Sequence, residues 1–110
     1  MDYTEVLRLL ALNDETFAEH VSDVEPETLD PKTLALVRLA ALVAVGGAVP
    51  SYGAEADAAV SAGATAAEIV DVLVGVVSVV GLPSVVAAAP SLAMALGYDL
   101  DDALEHHGGG

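Results

Sequence analysis

The order of apolar and polar positions along this chain follows helical rather than strand periodicity. Val6, Leu9, Leu10 and Leu12 form a stripe on an amphipathic segment that opens behind a cap at Asp2 or Thr4. Asn13-Asp14 interrupts the stripe, and a short helix through Phe17 and Val21 follows. Residues 24–29, with Pro26, read as a loop. Asp30-Pro31 then starts a helix, because aspartate accepts a backbone N–H at the N-cap and proline in the first turn has none to lose. That helix is expected to run to Gly46-Gly47. Between Leu34 and Val45 its only polar residue is Arg38, and a helix apolar nearly all round should be buried on most sides.

A shorter helix is predicted from Ser51 to Ala62, closed by Gly63. Thr65-Ala66-Ala67-Glu68 has the form of a capping box and opens the next helix, which extends to about Gly81. Leu82-Pro83-Ser84 restarts the chain into a last long helix, expected to bend or break at Pro90 and to end at Gly97, before a short acidic tail helix capped by Asp99. The β-branched run Val72–Val80 is also compatible with a buried strand, but the capping box ahead of it and the helical segments on both sides favour helix. Residues 72–98 carry no charge, which raises the possibility of a membrane span; Gly75, Ser78, Gly81, Pro83, Ser84, Pro90 and Ser91 dilute the stretch, and no basic flank would orient it. The expected fold is therefore all-α, a bundle of five to six helices. Its expected organisation is an N-terminal helical segment (1–28), a helical domain (29–98) and an acidic tail (99–110).

Composition sharpens this picture. Hydrophobic residues make up 55% of the 110, mostly Ala, Val and Leu, with one Phe and no Trp, which suits close helix–helix contacts. The apolar surface of residues 34–45 and 72–96 exceeds what a chain of this size can hide, so a homo-oligomer is expected, a trimer or hexamer. Net charge is −14, with Arg8, Lys32 and Arg38 the only basic residues, which argues against nucleic acid and against anionic membrane surfaces as partners. The absence of cysteine removes disulfides, thiolate nucleophiles and cysteine metal sites. Met1 to Glu5 has neither the basic nor the hydrophobic region of a signal peptide, making a cytoplasmic location the expectation.

Several residues invite a chemical role. Glu55 becomes a general base if burial raises its pKa; otherwise it is a solvated carboxylate beside Asp57. Arg38, alone in an apolar helix, is expected to be at least partly buried and paired with Asp71 or Glu55, within the chain or across a subunit interface; left unpaired in a cleft, it would anchor a ligand carboxylate. Tyr52 either lines a pocket or packs at the start of its helix, and Ser51 beside it is a candidate hydroxyl. His20 lies in a polar region and is expected in solvent. His106-His107 next to Glu105 reads as tail sequence, since adjacent histidines point different ways on a helix, so no metal site is expected. Gly46-Gly47 does not cradle phosphate, because it follows a helix and has no lysine nearby.

Leu29-Asp30-Pro31-Lys32-Thr33, the apolar helix after it, Ala62-Gly63-Ala64-Thr65 with Glu68-Ile69, and the Gly81-Leu82-Pro83 break together resemble the carboxymuconolactone decarboxylase and alkylhydroperoxidase-D family over roughly residues 29–97. The resemblance implies an all-α fold whose apolar helices meet at subunit interfaces of trimers or hexamers. In the peroxidase branch it implies a Cys-x-x-Cys-x-x-x-His motif and a proton-relay glutamate. Counted back from Gly63, the cysteine positions fall at Ala48 and Ser51 and the histidine at Glu55; counted forward from Lys32 they fall at Gly47, Pro50 and Ala54. The relay position falls at Ala35 or Leu36. Neither register supplies a thiol, so thiol peroxidase chemistry is not expected. The decarboxylase branch works without cysteine, but the resemblance implies a polar pocket with a histidine near position 55, where this chain has Glu55 at best. Two functions then compete: a non-catalytic scaffold or small-molecule binding module, and a cofactor-free lyase acting on a small organic acid or lactone through Ser51, Tyr52, Glu55 or Arg38. A weaker third is a helical partner for a basic macromolecule, resting on charge alone. No cofactor is implied.

Overall fold

Helix starts coincide with side chains able to accept a free backbone N–H. In the computed structural model, which describes residues 2–98, Asp2 caps α1 (Tyr3–Ala11) and Asp14 caps α2 (Glu15–His20), its carboxylate 2.9 Å from the Phe17 nitrogen. Asn13 turns the chain between them with φ +52°, a conformation asparagine tolerates better than most residues. One 3₁₀ turn, Val21–Asp23, leads to the loop before α3 (Pro31–Val45), whose cap Asp30 accepts from the Thr33 nitrogen at 2.7 Å. Then follow α4 (Val49–Ser61), α5 (Ala66–Val80) and α6 (Leu82–Ala95). The Thr65–Glu68 capping box is complete, with Thr65 Oγ1 accepting from the Glu68 nitrogen at 3.1 Å and Glu68 Oε1 from the Thr65 nitrogen at 2.9 Å. The valine run is helix, and there is no strand among the described residues. No helix there is long and apolar enough to cross a membrane.

Three expectations need correction. First, α4 begins at Val49 rather than Ser51, because Pro50 fits the first helical turn at no loss. Second, α6 runs through Pro90 without a break. The hydrogen bond proline forgoes is the one to the Val86 carbonyl, and both residues are exposed, so water can satisfy that oxygen. Third, within one chain α3 buries a single face, Ala35, Leu39 and Val43, while Val37 and Val45 remain exposed. The tail and its predicted helix lie outside the described residues.

Helices α3–α6 form the bundle. α3 packs against all three of the others, and α4 against both α3 and α6. The core is built from Leu39, Val43, Ile69, Val85 and Leu92, with Tyr52 and the alanines 35, 56, 59 and 88 between them. Small side chains at the crossings let the backbones approach closely, as the alanine-rich composition leads one to expect. Lys32 Nζ lies 2.7 Å from Glu68 Oε2 and ties the start of α3 to the start of α5. The lysine and the Thr65 N–H together hold the Glu68 carboxyl below its ordinary range, the lysine hydrogen bond being the larger cause.

α1 and α2 stand apart from this bundle. Neither buries a residue, and α1 packs on α2 but has no comparable contact with α3–α6. The structure extends 58 × 27 × 22 Å with a radius of gyration of 16.9 Å. A compact chain of this length would have a radius nearer ~13 Å.

Candidate functional site

α3 and α4 are joined by the tight turn Gly46–Ala48, which lays them side by side. Gly46 takes φ +80°, where a side chain would be strained. At Gly47 a β-carbon would come within 2.8 Å of Leu42 Cγ, so any larger residue must displace Leu42. Gly47 is one of the two positions at which the first family cysteine could fall, and the site as folded leaves no room for one. The turn is fastened by Tyr52. Its hydroxyl donates to the Leu42 carbonyl and accepts from the Gly47 N–H, both at 3.3 Å, and the residue is only 3% exposed. Tyr52 is therefore a packed residue whose polar end closes the hairpin; its buried hydroxyl is already committed to two backbone groups. It also borders a small cavity of about 230 Å³ with Ser84 and Ser91. Ser51, one residue earlier, is exposed and lines none of the cavities described here.

Arg38 and Glu55 are brought together. Both line a cavity of about 290 Å³ between α3, α4 and the loop before α3, with Ala35, Ala58 and the loop residues Glu25 and Pro26 among its walls. Glu55 is half-buried rather than fully solvated. Within the single chain Arg38 is exposed, and no carboxylate among the described residues lies within 4.0 Å of it, so the expected burial in an ion pair is not met inside one protomer. The cause is the one-sided burial of α3. Arg38 sits beside the Ala35–Leu39–Val43 face rather than on it, so it stays in water and needs no partner to be tolerated. Asp71, its other proposed partner, is exposed on α5 and lines a different groove. Ala35, one of the two relay positions, faces the Arg38 cavity without a polar group.

The loop contribution was invisible in the sequence. Glu25 lies 13 residues before Arg38 and 30 before Glu55 in a segment without periodicity, so nothing local marks it as a neighbour of either. His20 is exposed at the end of α2, where its side chain can interact with the helix C-terminus. No group of three or more potential metal ligands occurs among the described residues, and His106-His107 lies outside them.

A larger concavity, about 740 Å³, is a groove between α5 and α6 lined by Ile69, Val70, Leu73, Val86, Leu92 and Leu96 among others, with Asp71 the charged residue among the described ones in its walls. Another, of about 450 Å³, lies between the apolar face of α1 (Tyr3, Val6, Leu7, Leu10) and residues 24–28.

The chain has no match among curated proteins or solved structures. The sequence profile of the carboxymuconolactone decarboxylase family, however, matches residues 9–93, a stretch running from within α1 through α2 to α5 and into α6. With the all-helical architecture and the ordered caps that produce it, this match shows that the chain belongs to the carboxymuconolactone decarboxylase family.

Proposed function

We propose that this protein is a homo-oligomeric, non-catalytic member of its family that binds a small organic acid at the Arg38–Glu55 cavity. The observation that carries this reading is an arginine lining a cavity with no carboxylate among the described residues within 4.0 Å of it, although Glu25 and Glu55 line the same cavity. A guanidinium offers two parallel N–H donors that match a ligand carboxylate. Apart from Glu25 and Glu55 the walls are apolar, Ala35, Ala58 and Pro26 among them, and the space of about 290 Å³ suits a small molecule. Binding is favoured over turnover because the hydroxyls that catalysis would recruit are elsewhere: Tyr52 is bonded to the backbone, and Ser51 is exposed outside the cavity. Thiol peroxidase chemistry has no place in this reading, as the chain contains no thiol. The half-buried Glu55 in the same cavity supports the second reading, a cofactor-free lyase in which this carboxylate removes a proton from a small acid or lactone.

Calorimetric titration with butyrate and with butyramide tests the proposal. Butyrate is expected to bind and the neutral amide not to. Arg38→Gln should lose at least tenfold in affinity while its melting temperature stays unchanged, since the arginine has no ion-pair partner among the described residues. Equal binding of acid and amide, or undiminished binding to Arg38→Gln, removes Arg38 as the anchor. Turnover of a small lactone or β-keto acid that disappears in Glu55→Gln would establish the lyase instead.

A further inference from the structure

The Arg38 cavity is lined by charges of both signs that do not meet. Arg38 comes from α3, Glu55 from α4 and Glu25 from the loop before α3, so each is carried by a different segment. The other two Lys and Arg side chains of the chain are matched: Arg8 Nη2 lies 2.8 Å from Glu5 Oε1, and Lys32 Nζ lies 2.7 Å from Glu68 Oε2. Arg38, Glu25 and Glu55 form no ion pair among the described residues, although they share one cavity. Opposite charges held apart around a space form a site for a molecule that itself carries both. We infer that the cavity takes a small amino acid, its carboxylate on Arg38 and its ammonium group between Glu25 and Glu55.

Charge balance selects this class. A plain monocarboxylate pairs with Arg38 but brings its negative charge into a space that two glutamates also face. An amine without a carboxylate meets the guanidinium, and a dicarboxylate sets its second charge against the glutamates. A zwitterion gives every charge a neighbour of opposite sign and leaves the net charge of the cavity as it was. The donor chemistry agrees. The guanidinium presents two parallel N–H groups to a carboxylate, and an ammonium group has three N–H donors and no acceptor, which suits the oxygens of two glutamates. Leu29, Leu34 and Ala58 supply apolar wall for a short carbon chain. The volume of about 290 Å³ lies just below the ~300–1,000 Å³ usual for drug-sized ligands, which fits a single small amino acid and not a peptide. Since neither carboxylate lies within 4.0 Å of the guanidinium nitrogens, a ligand whose two charges are well separated reaches both sides most easily.

This assignment rests on the organic-acid reading above and narrows its ligand. Calorimetric titration at neutral pH with 2-, 3- and 4-aminobutyrate against butyrate tests it, because the four differ only in whether and where they carry an amine. The tightest of the three isomers is expected to bind at least tenfold more tightly than butyrate, and n-butylamine more weakly than that isomer. Glu25→Gln, at an exposed position, should keep its melting temperature, weaken the preferred isomer and strengthen butyrate, since it removes an ammonium partner and a like charge together. Glu55→Gln should shift the two affinities in the same directions. Butyrate binding as tightly as all three isomers would overturn the amino-acid class and leave an acid anchored on Arg38. An isomer preference that persists undiminished in both glutamine variants would put the ammonium group elsewhere and overturn the assignment. Undiminished binding to Arg38→Gln, or no binding by any of the four acids, would overturn the organic-acid reading and this one with it.

Discussion

Leu39→Ala is expected to lower the free energy of unfolding by about 3 kcal/mol, within the range measured for buried leucine truncations. Leu39 is 0% exposed in the core, on the helix that packs against all three other bundle helices, so the cavity it leaves is not readily closed. For a domain of this size such a loss corresponds to a fall in melting temperature of roughly 15 °C. Urea denaturation followed by circular dichroism gives the measurement, with the slope unchanged if the native fold is retained. A loss below about 1 kcal/mol would mean that the bundle repacks around the gap, and that α3 is not its centre.

Ala59→Leu should destabilise the protein by about 1–3 kcal/mol for the opposite reason, overpacking. Ala59 is 0% exposed on α4, which lies against both α3 and α6, and three extra carbons have nowhere to go unless the helices separate. Ala54→Leu on the exposed side of the same helix provides the control and should change stability by no more than about 0.5 kcal/mol. Equal effects at the two positions would show that helix propensity, and not the close crossing, governs α4.

The helices were legible because their signals are local. Asp30 caps a nitrogen three residues on, and Thr65 and Glu68 cap each other across the same interval, so sequence spacing and spatial contact coincide. Which side of each helix meets the core was less legible. An almost wholly apolar α3 gives no direction, so the sequence does not show that Arg38 lies beside the face buried within one chain. The candidate site was half readable. Arg38 and Glu55 stood out by their residue types, but Glu25, and the pairing of Lys32 with Glu68 across 36 positions, depend on how distant segments meet. α6 is not broken at Pro90 because proline disfavours a helix interior by an amount that packing can outweigh, and α6 packs on α3, α4 and α5.

The Lys32–Glu68 link places the starts of α3 and α5 at the same end of the bundle, and there the fastenings are ionised: Asp30 on Thr33, and Glu68 on both Thr65 and Lys32. Both carboxyls are held below their ordinary range, Asp30 by the Thr33 N–H and Glu68 chiefly by Lys32. Their contribution is complete above that range and disappears as pH falls through the lowered values. At the opposite end the α3–α4 turn is closed by the neutral phenol of Tyr52, and no residue from 39 to 54 carries a charge. The stabilisation that acidification removes thus lies at one end of the bundle, and the other end has no charged group among residues 39–54 to lose.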